Sequence, residues 1–330
     1  MGEDQVPANF LSIRPATDSE VLFSLHVKMR GKNLLVIMGP TAIGKTGLAM
    51  RLADHFSAEV ISADSRQVFS EMEIGTAKPT QDELFRAKHH FINHRSIHDE
   101  YDAGTFAKEA SEVIDQLLEK NSTAILCGGS GLYIKAILEG FDDLPDVPDG
   151  IRDQITKEYR DKGIVWLQQQ VMEHDPSYFE VVDRQNPQRL MRALEICRST
   201  GKPFSEYHKK EKKILPFTVI KIGLELERKK LYDRIDRRMD EMIDQGLFAE
   251  AEKLFPLRHL NALQTVGYQE IFDFMEGAYD REEAIRLMKR NTRHYAKRQL
   301  TWFKKDKEIQ WFHPQDWDGI LGFIKERSSQ

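Results

Sequence analysis

Residues 38–46, MGPTAIGKT, contain the pattern Gly-x-x-x-x-Gly-Lys-Thr from Gly39 to Thr46. A glycine-rich loop with this spacing points backbone N–H groups at phosphate oxygens, and the dipole of the following helix adds positive charge. Lys45 supplies a point charge, and the Thr46 hydroxyl is placed to ligate Mg²⁺. Such a loop serves two chemistries. It holds a nucleotide for phosphoryl transfer, as in ATP-binding proteins, or it holds a diphosphate that departs with its bonding electrons.

The acidic residues near this loop do not follow the pattern of a kinase or an ATPase. Those enzymes place an aspartate at the end of a second apolar strand, but the apolar stretch TAILCGGSG has Cys127 and glycines there. The nearest candidate is Asp64, which follows the apolar stretch EVISA. From the residues alone, this carboxylate is a metal ligand, a base aimed at a nucleophile beside the phosphate, or a turn or N-cap group.

The elements around these motifs predict an α/β fold. Residues 33–38 are a continuous apolar run, which is typical of a buried parallel strand, and a helical pattern follows the loop. A second strand is expected within residues 58–65, a helix at about 104–120, and a third strand before the glycines of CGGSG. The alternation predicts a P-loop NTPase-like, doubly wound parallel sheet with right-handed crossovers. Ligands bind such sheets at the carboxyl ends of the strands, where both motifs lie.

A change of pattern divides the chain. From about residue 146 to residue 214 the sequence indicates helices only, and residues 216–226 indicate a strand again. Two long helices are expected at about 228–244 and 280–303. We therefore predict a catalytic core of residues 31–145 and 215–330 with C-terminal helices, and a helical insertion at 146–214. Residues 1–30 are interpreted as a leader or mobile arm without an assigned function.

The composition excludes several classes of protein. The 330 residues are 40% hydrophobic and 31% charged, and no apolar run reaches the length of a membrane span. Two cysteines indicate a reducing, cytoplasmic setting and exclude a disulfide framework. A net charge of −5 argues against indiscriminate nucleic-acid binding but not against a local basic face. The histidine-rich segment of residues 89–98 is interpreted as strand and loop, not as a metal site.

Six segments occur in order along the chain: GPTAIGKT, ADSRQVF, EMEIGTAKP, CGGSGLYIKAILEG, NPQRLMRALEI and TVGYQE. Together they resemble the tRNA dimethylallyltransferase (tRNA isopentenyltransferase) family, in its compact bacterial form, over about residues 33–312. The resemblance implies that a dimethylallyl group passes from dimethylallyl diphosphate to the N6 amine of the adenosine immediately 3′ of the anticodon (position 37), and that diphosphate leaves. The implied partners are dimethylallyl diphosphate and the anticodon stem-loop of tRNA.

The resemblance also implies roles for individual residues. Asp64 is the base that takes a proton from the amine, Thr41 lies at the reaction centre, and Lys45 and Arg238 stabilise the leaving diphosphate. Mg²⁺ is the implied cofactor, with Thr46 as its protein ligand. The implied diphosphate clamp is Gly39, Pro40, Thr41, Ala42, Ile43, Gly44, Lys45 and Thr46.

The residues that the resemblance assigns to tRNA lie in five parts of the chain. They are Asp64, Ser65, Arg66, Gln67, Ser130, Arg152, Gln188, Arg189, Leu190, Met191, Arg192, Thr265, Val266, Gly267, Tyr268, Gln269 and Glu270. The helix at 280–303 adds a basic stripe, which is either a track for tRNA phosphates or a solvated helix face. Its members are Arg286, Lys289, Arg290, Arg293 and Lys297. We expect a cytoplasmic monomer that does not enter a membrane.

Three other functions fit the sequence less well. A transferase that prenylates free adenine nucleotides would not need a helical insertion to grip its acceptor. A P-loop kinase is disfavoured because the second acidic residue is missing. A non-catalytic RNA-binding module would leave the pairing of a phosphate clamp with a base unexplained.

Overall fold

The computed structural model describes residues 31–140, 144–148, 150–207 and 213–329. The predicted leader or arm at 1–30 lies outside these residues. Within them, six parallel strands form one sheet in the order β3-β2-β4-β1-β5-β6. The strands are β1 (Asn33–Met38), β2 (Val60–Ala63), β3 (His89–His90), β4 (Thr123–Gly128), β5 (Thr218–Leu224) and β6 (Gln310–Phe312). This is the parallel α/β sheet that the alternation of elements predicts.

The register of the central strands brings the predicted motifs to one edge of the sheet. Met38, the last residue of β1, pairs with Gly128, which in turn pairs with Ala63 at the end of β2. The strands end level because they are parallel and in matched register. The phosphate loop after β1, the DSRQ segment after β2 and the CGGSG segment after β4 therefore emerge side by side.

Helices cover the sheet and extend the core unit. Those of the core are α1 (Lys45–Phe56), α2 (Gln81–Arg86), α3 (Ala103–Lys120), α4 (Gly131–Glu139), α8 (Arg228–Asp244), α9 (Leu247–Leu254), α10 (Tyr268–Met275), α11 (Arg281–Phe303) and α12 (Trp317–Ser328). Helix α1 buries Leu48, Leu52 and Ala53 in the same cluster as the strand residues Leu35 and Ile37. This packing fixes the first turn of α1, and with it the phosphate loop, against the end of β1.

The described chain divides into two compact units. One comprises the residues up to Ile137 and from Leu215 onward, and the other is Leu138–Ile214. The second unit contains α5 (Ile151–His174), α6 (Pro176–Val181) and α7 (Pro187–Thr200), and no strand is found among its described residues. It begins at Leu138, before the predicted start of the insertion at 146. Its own core includes Ile155, Leu167 and Leu194, which are fully buried.

Short elements account for most of the differences from the sequence predictions. Strand β1 and helix α8 have the predicted bounds, and α11 differs from its prediction by one residue. Helices α9, α10 and α12 and the edge strand β6 were not predicted. His89 and His90 form the short strand β3, and no group of side chains suited to a metal is found among the described residues.

None of the helices in the described part of the chain combines the length and apolarity that a membrane span requires. Both cysteines are free.

Candidate active site

A cavity of about 270 Å³ opens at the carboxyl ends of the central strands. The phosphate loop, the end of β2 and the end of β4 form its floor. Helices α8 and α11 supply Arg238, Tyr295 and Gln299 to its wall. Asp64 and Gln67 line the same cavity as Lys45 and Thr46. The sheet therefore brings the predicted clamp and the predicted base together, although they follow different strands.

The phosphate loop has a backbone that few sequences adopt. Ala42 and Gly44 have φ angles of 62° and 106°, and a Cβ on Gly39 would lie 3.0 Å from the Leu224 carbonyl oxygen. Gly44 precedes α1 without a side-chain cap. The first N–H groups of the helix therefore have no side-chain acceptor at this position, which is the arrangement that binds anions.

Lys45 is folded back over its own loop. Its Nζ donates to the carbonyl oxygens of Gly39 at 3.0 Å and Pro40 at 2.8 Å. Burial lowers the pKa of Lys45 to about 8, against the opposing effects of Cys127 and the Asp64 carboxylate, which raise it. The ammonium is thus held in a site that favours a nearby negative charge.

Two arginines of α8 contact the loop from the same side. Arg238 Nη1 donates to Thr41 Oγ1 at 3.3 Å, and its Nη2 donates to the Ala77 carbonyl at 3.4 Å. Burial lowers the pKa of Arg238, and Asp64 opposes this shift. One turn earlier, Arg234 donates to the Ile43 carbonyl at 3.1 Å. The Ile43 side chain is fully buried in the core. At this position the loop therefore lines the cavity through its backbone and not through a side chain.

Asp64 is both a turn residue and a cavity residue. Its Oδ1 accepts from the backbone N–H of Arg66 at 2.9 Å and of Gln67 at 3.4 Å. No hydrogen bond to its Oδ2 is found among the described residues. One oxygen therefore fixes the orientation of the carboxylate while the other is left for a ligand. Asp64 can therefore stabilise the turn through one oxygen and act as a base through the other.

The rest of the DSRQ segment is held by protein partners. Ser130 Oγ accepts from the Ser65 N–H at 2.9 Å. Gln67 donates through Nε2 to the carbonyls of Thr76 and Ala77 at 3.2 and 3.1 Å. Burial lowers the pKa of Arg66, and Asp64 is the largest opposing influence. These bonds make the segment a fixed wall beside the candidate base.

In the helical unit, the residues predicted to bind tRNA are of two kinds. Arg152, Gln188, Arg189 and Arg192 are exposed, whereas Leu190 and Met191 are buried in the core of the unit. The buried Glu195 accepts from Arg192 at 3.1 Å and lies 3.8 Å from Arg152. Among the described residues no acidic partner is found for Arg189. This side chain is therefore the least neutralised cation of the group.

The TVGYQE segment has a structural role that its sequence does not reveal. Tyr268 is fully buried, and its hydroxyl donates to Glu250 at 2.6 Å. Glu250 also accepts from the N–H groups of Ile74 and Gly75 at 2.8 and 2.9 Å. Tyr268 and Glu250 thereby hold the IGTAKP segment, which forms part of the cavity wall.

The remaining residues of TVGYQE differ in exposure. Glu270 is 5% exposed, accepts from the Gly267 N–H at 2.7 Å, and receives a bond from Asn291 at 2.6 Å. Gln269 is exposed, and Thr265 and Val266 are half-buried. Within this segment, Gln269 has the side chain most available to a ligand.

The basic stripe on α11 is partly neutralised. Arg286 pairs with Glu283 at 2.6 Å, Lys289 with Asp240 at 2.5 Å, and Arg293 with Asp236 at 2.5 Å. Lys297 is exposed. The ion pairs with α8 mean that Lys289 and Arg293 hold α11 against a neighbouring helix. Helical spacing alone therefore suggested more cations available to bind phosphate than the structure has.

Sequence reasoning missed several residues that line the cavity, among them Tyr295 and Gln299 of α11. They lie four residues apart on one face of the helix, and Gln299 is uncharged within a strongly basic stretch. That interruption of the charge pattern was the signal that could have identified Gln299.

Cys127, which stands where a kinase would have its second acid, also lines the cavity, and burial raises the pKa of its thiol to about 12. The thiol is therefore neutral and does not replace a metal-binding carboxylate.

The chain is similar to known proteins over most of its length. A family model described as IPP transferase matches residues 67–306. The chain is 53% identical over 295 residues to a tRNA dimethylallyltransferase of Christiangramia forsetii, and the alignment covers 89% of this chain and 98% of that relative. Its structure is similar to that of the tRNA isopentenylpyrophosphate transferase from Bacillus halodurans, with a TM-score of 0.66, 36% identity, and coverage of 90% of this chain and 98% of that one.

A third comparison is with a eukaryotic dimethylallyltransferase whose structures show it acting on tRNA. The TM-score is 0.74 at 26% identity, over 90% of this chain and 77% of that chain. This chain and the eukaryotic enzyme share a P-loop NTPase-like core. The extent of the family match, together with 53% identity to a bacterial relative, shows that this chain belongs to the IPP transferase family, the tRNA dimethylallyltransferases.

Proposed function

We propose that this protein transfers a dimethylallyl group from dimethylallyl diphosphate to the N6 amine of adenosine 37 in tRNA and releases diphosphate. The observation that carries the proposal is one cavity that holds both a phosphate loop and an aspartate with a free oxygen. The membership of the chain in a family of tRNA dimethylallyltransferases supports the same reaction. The loop then serves as a clamp for a leaving diphosphate, and the bond that breaks is between carbon and oxygen.

The clamp lowers the barrier to breaking that bond. An allylic diphosphate ionises readily when the charge that grows on its leaving group is neutralised by groups already in place. Lys45, the N–H groups at the start of α1 and Arg238 are such groups. Lys45 bonds to two carbonyls of its own loop, and the third N–H of its ammonium is left to donate to a phosphate oxygen.

Asp64 acts on the acceptor. The exocyclic amine of adenine is a weak nucleophile because its lone pair is delocalised into the ring. A carboxylate within hydrogen-bond reach can remove the amine proton as the new carbon–nitrogen bond forms. The oxygen of Asp64 that is not used in the turn is the proposed acceptor of that proton.

Mg²⁺ is the proposed cofactor, with the Thr46 hydroxyl as its ligand. Thr46 lines the cavity, and its hydroxyl is an oxygen donor. Such a donor fits Mg²⁺, which prefers oxygen ligands and is commonly held by few protein groups together with substrate phosphates and water. The ion would add positive charge beside the leaving diphosphate.

The acceptor experiment separates the proposed function from its alternatives. The protein is mixed with radiolabelled dimethylallyl diphosphate and either unmodified tRNA or AMP. We expect label to enter tRNA and not AMP. Transfer to AMP alone would indicate a free-nucleotide transferase, and binding of tRNA without transfer to either acceptor would indicate an RNA-binding module.

We also propose that the exposed arginines of the helical unit grip tRNA in the cytoplasm, where the enzyme acts as a monomer. Each cation that binds a phosphate releases counterions, so tRNA affinity must fall as salt rises. We expect Arg189→Gln to weaken binding to all tRNAs alike and to flatten the log–log salt slope by about one unit. Arg192→Gln should change the slope less, because Arg192 already bonds to Glu195. The same is expected of Arg293→Gln, on α11 of the core unit, because Arg293 bonds to Asp236.

The control for the salt series is Arg184→Gln, in the same unit, since Arg184 is not among the predicted tRNA-binding residues and already bonds to Glu180 and to the Phe179 carbonyl. It should leave the slope unchanged, and diphosphate affinity should be unaltered in every variant. An unchanged slope for Arg189, Arg192 and Arg293 alike would place the tRNA surface elsewhere.

The lowered pKa of Lys45 predicts a pH dependence. The charged ammonium binds diphosphate, and the free site loses that charge as pH rises through about 8. Affinity for inorganic diphosphate should therefore fall above pH 8, by up to about tenfold per pH unit once the neutral form predominates. Calorimetry from pH 7 to about 9.5 measures this, and Lys45→Ala corrects for titration of the ligand itself. An advantage of wild type over Lys45→Ala that stays constant across the range would contradict the assignment.

A further inference from the structure

Gln299 connects two loops of the cavity through one side chain. It lies on α11 and is 7% exposed. Its Oε1 accepts from the Thr41 N–H at 2.9 Å, and its Nε2 donates to the Gly129 carbonyl at 2.9 Å. Both ends of the amide therefore bond to backbone, one in the phosphate loop and one in the CGGSG segment. A buried amide satisfied at both ends in this way fixes the separation of the groups that it joins.

The two loops carry opposite halves of the proposed reaction. On one side, Thr41 Oγ1 is the acceptor of the Arg238 hydrogen bond. On the other, Gly129 precedes Ser130, whose Oγ accepts from the Ser65 N–H next to Asp64. Gln299 thus stands between the diphosphate clamp and the segment that orients the candidate base, and it is not hydrogen-bonded to Asp64 or to Lys45.

The fit between Gln299 and the CGGSG segment is close. A Cβ built on Gly129 would lie 2.4 Å from Gln299 Nε2, whereas its other near neighbours are 3.6 Å away. Gly129 does not have a positive φ angle, so its backbone would tolerate alanine. A side chain at residue 129 would therefore act mainly by displacing the Gln299 amide.

We propose that Gln299 is a positioning residue that sets the spacing between the diphosphate clamp and Asp64. The inference rests on the proposed function, because it concerns the geometry of that transfer. Displacements of about 1 Å between reacting groups commonly cost ~10²-fold in rate. Loss of the amide should therefore reduce the rate of the chemical step more than it weakens the binding of either substrate.

The test begins with Gln299→Met, which keeps the length of the side chain and its packing but has no hydrogen-bonding amide. We expect kcat to fall by roughly 10- to 100-fold. The KM for tRNA should be unchanged, and affinity for inorganic diphosphate should fall less than kcat, since Lys45 and the first turn of α1 keep their own contacts. Gln310→Met, at an exposed position on β6, is the matched control and should retain wild-type turnover.

Gly129→Ala provides a second route to the same displacement with Gln299 unchanged. It should lower kcat by a similar factor. In the double variant with Gln299→Met, the added methyl group should cause little further loss, because the amide that it displaces is already absent. Multiplied losses in the double variant would show that Gly129 acts through another contact.

The outcomes separate this inference from the proposed function. A wild-type protein that does not prenylate tRNA would end the proposed function, and the inference would fall with it. If wild type is active, wild-type kcat in Gln299→Met would show that packing alone is needed. Equal losses in kcat and diphosphate affinity would show that Gln299 supports only the clamp. Should Gln299→Met fail to fold, normal kcat in Gly129→Ala would overturn the inference by itself.

Discussion

Asp64→Asn is expected to lower turnover by about 10²-fold or more, the usual contribution of a general base. Asparagine has the same shape, and its Oδ1 can still accept from the N–H groups of Arg66 and Gln67. The turn should therefore survive while the ability to take a proton is lost. Binding of tRNA and of inorganic diphosphate should remain nearly normal. Single-turnover transfer assays together with equilibrium binding measure the two effects separately.

A matched control for Asp64→Asn is Asp280→Asn. Asp280 also accepts a backbone hydrogen bond, from Glu283 at 2.8 Å, but it caps α11 at an exposed position outside the cavity. This variant should transfer at the wild-type rate. Near-normal turnover in Asp64→Asn would end the assignment of Asp64 as the base and leave it as a turn residue.

The second large effect is expected when the clamp loses charge. Arg238→Ala and Lys45→Ala should each weaken binding of dimethylallyl diphosphate and slow its transfer, because both cations stabilise the departing diphosphate. Arg238→Ala also removes the hydrogen bond to Thr41 Oγ1. Removal of a single preorganised donor of this kind typically costs ~10²- to 10³-fold in rate. Rates at saturating substrate and separate diphosphate affinities measure the two consequences.

Arg237→Ala is the control for Arg238→Ala. It removes the same charge from the neighbouring position of α8, where the side chain is exposed and does not line the cavity. Its turnover should be close to that of wild type. A similar loss in both variants would mean that α8 acts through its overall charge and not through the contact with Thr41. Wild type should show no tRNA-stimulated ATP hydrolysis, and robust hydrolysis would favour the kinase or ATPase interpretation.

The sequence was most informative where one local signal decided the structure. Strand β1 is a continuous apolar run that ends at a glycine-rich loop, and α8 has apolar residues at helical spacing. Their bounds followed from those signals alone. The meeting of Asp64 with Lys45 followed from a rule about parallel sheets, since the carboxyl ends of adjacent strands share one edge.

The sequence was least informative where the role of a residue depends on a distant partner. Tyr268 has a fully buried ring because it packs against Gly75 and bonds to Glu250, and neither contact has a local signature. The basic residues of α11 have helical spacing, but the acidic residues that neutralise Lys289 and Arg293 lie on α8. Gln299 could not be assigned for the same reason, because its two partners lie in loops that only the fold brings together.

The central claim is that the phosphate loop holds a diphosphate as a leaving group. It is tested most directly with dimethylallyl diphosphate that carries ¹⁸O at the oxygen between carbon and phosphorus. Wild-type protein, Mg²⁺ and unmodified tRNA are added, and both products are analysed by mass spectrometry. We expect ¹⁸O in the released diphosphate and an unlabelled dimethylallyl group on N6 of adenosine 37. Release of ¹⁸O-labelled dimethylallyl alcohol, or a phosphoryl group on tRNA, would show cleavage between phosphorus and oxygen and would contradict it.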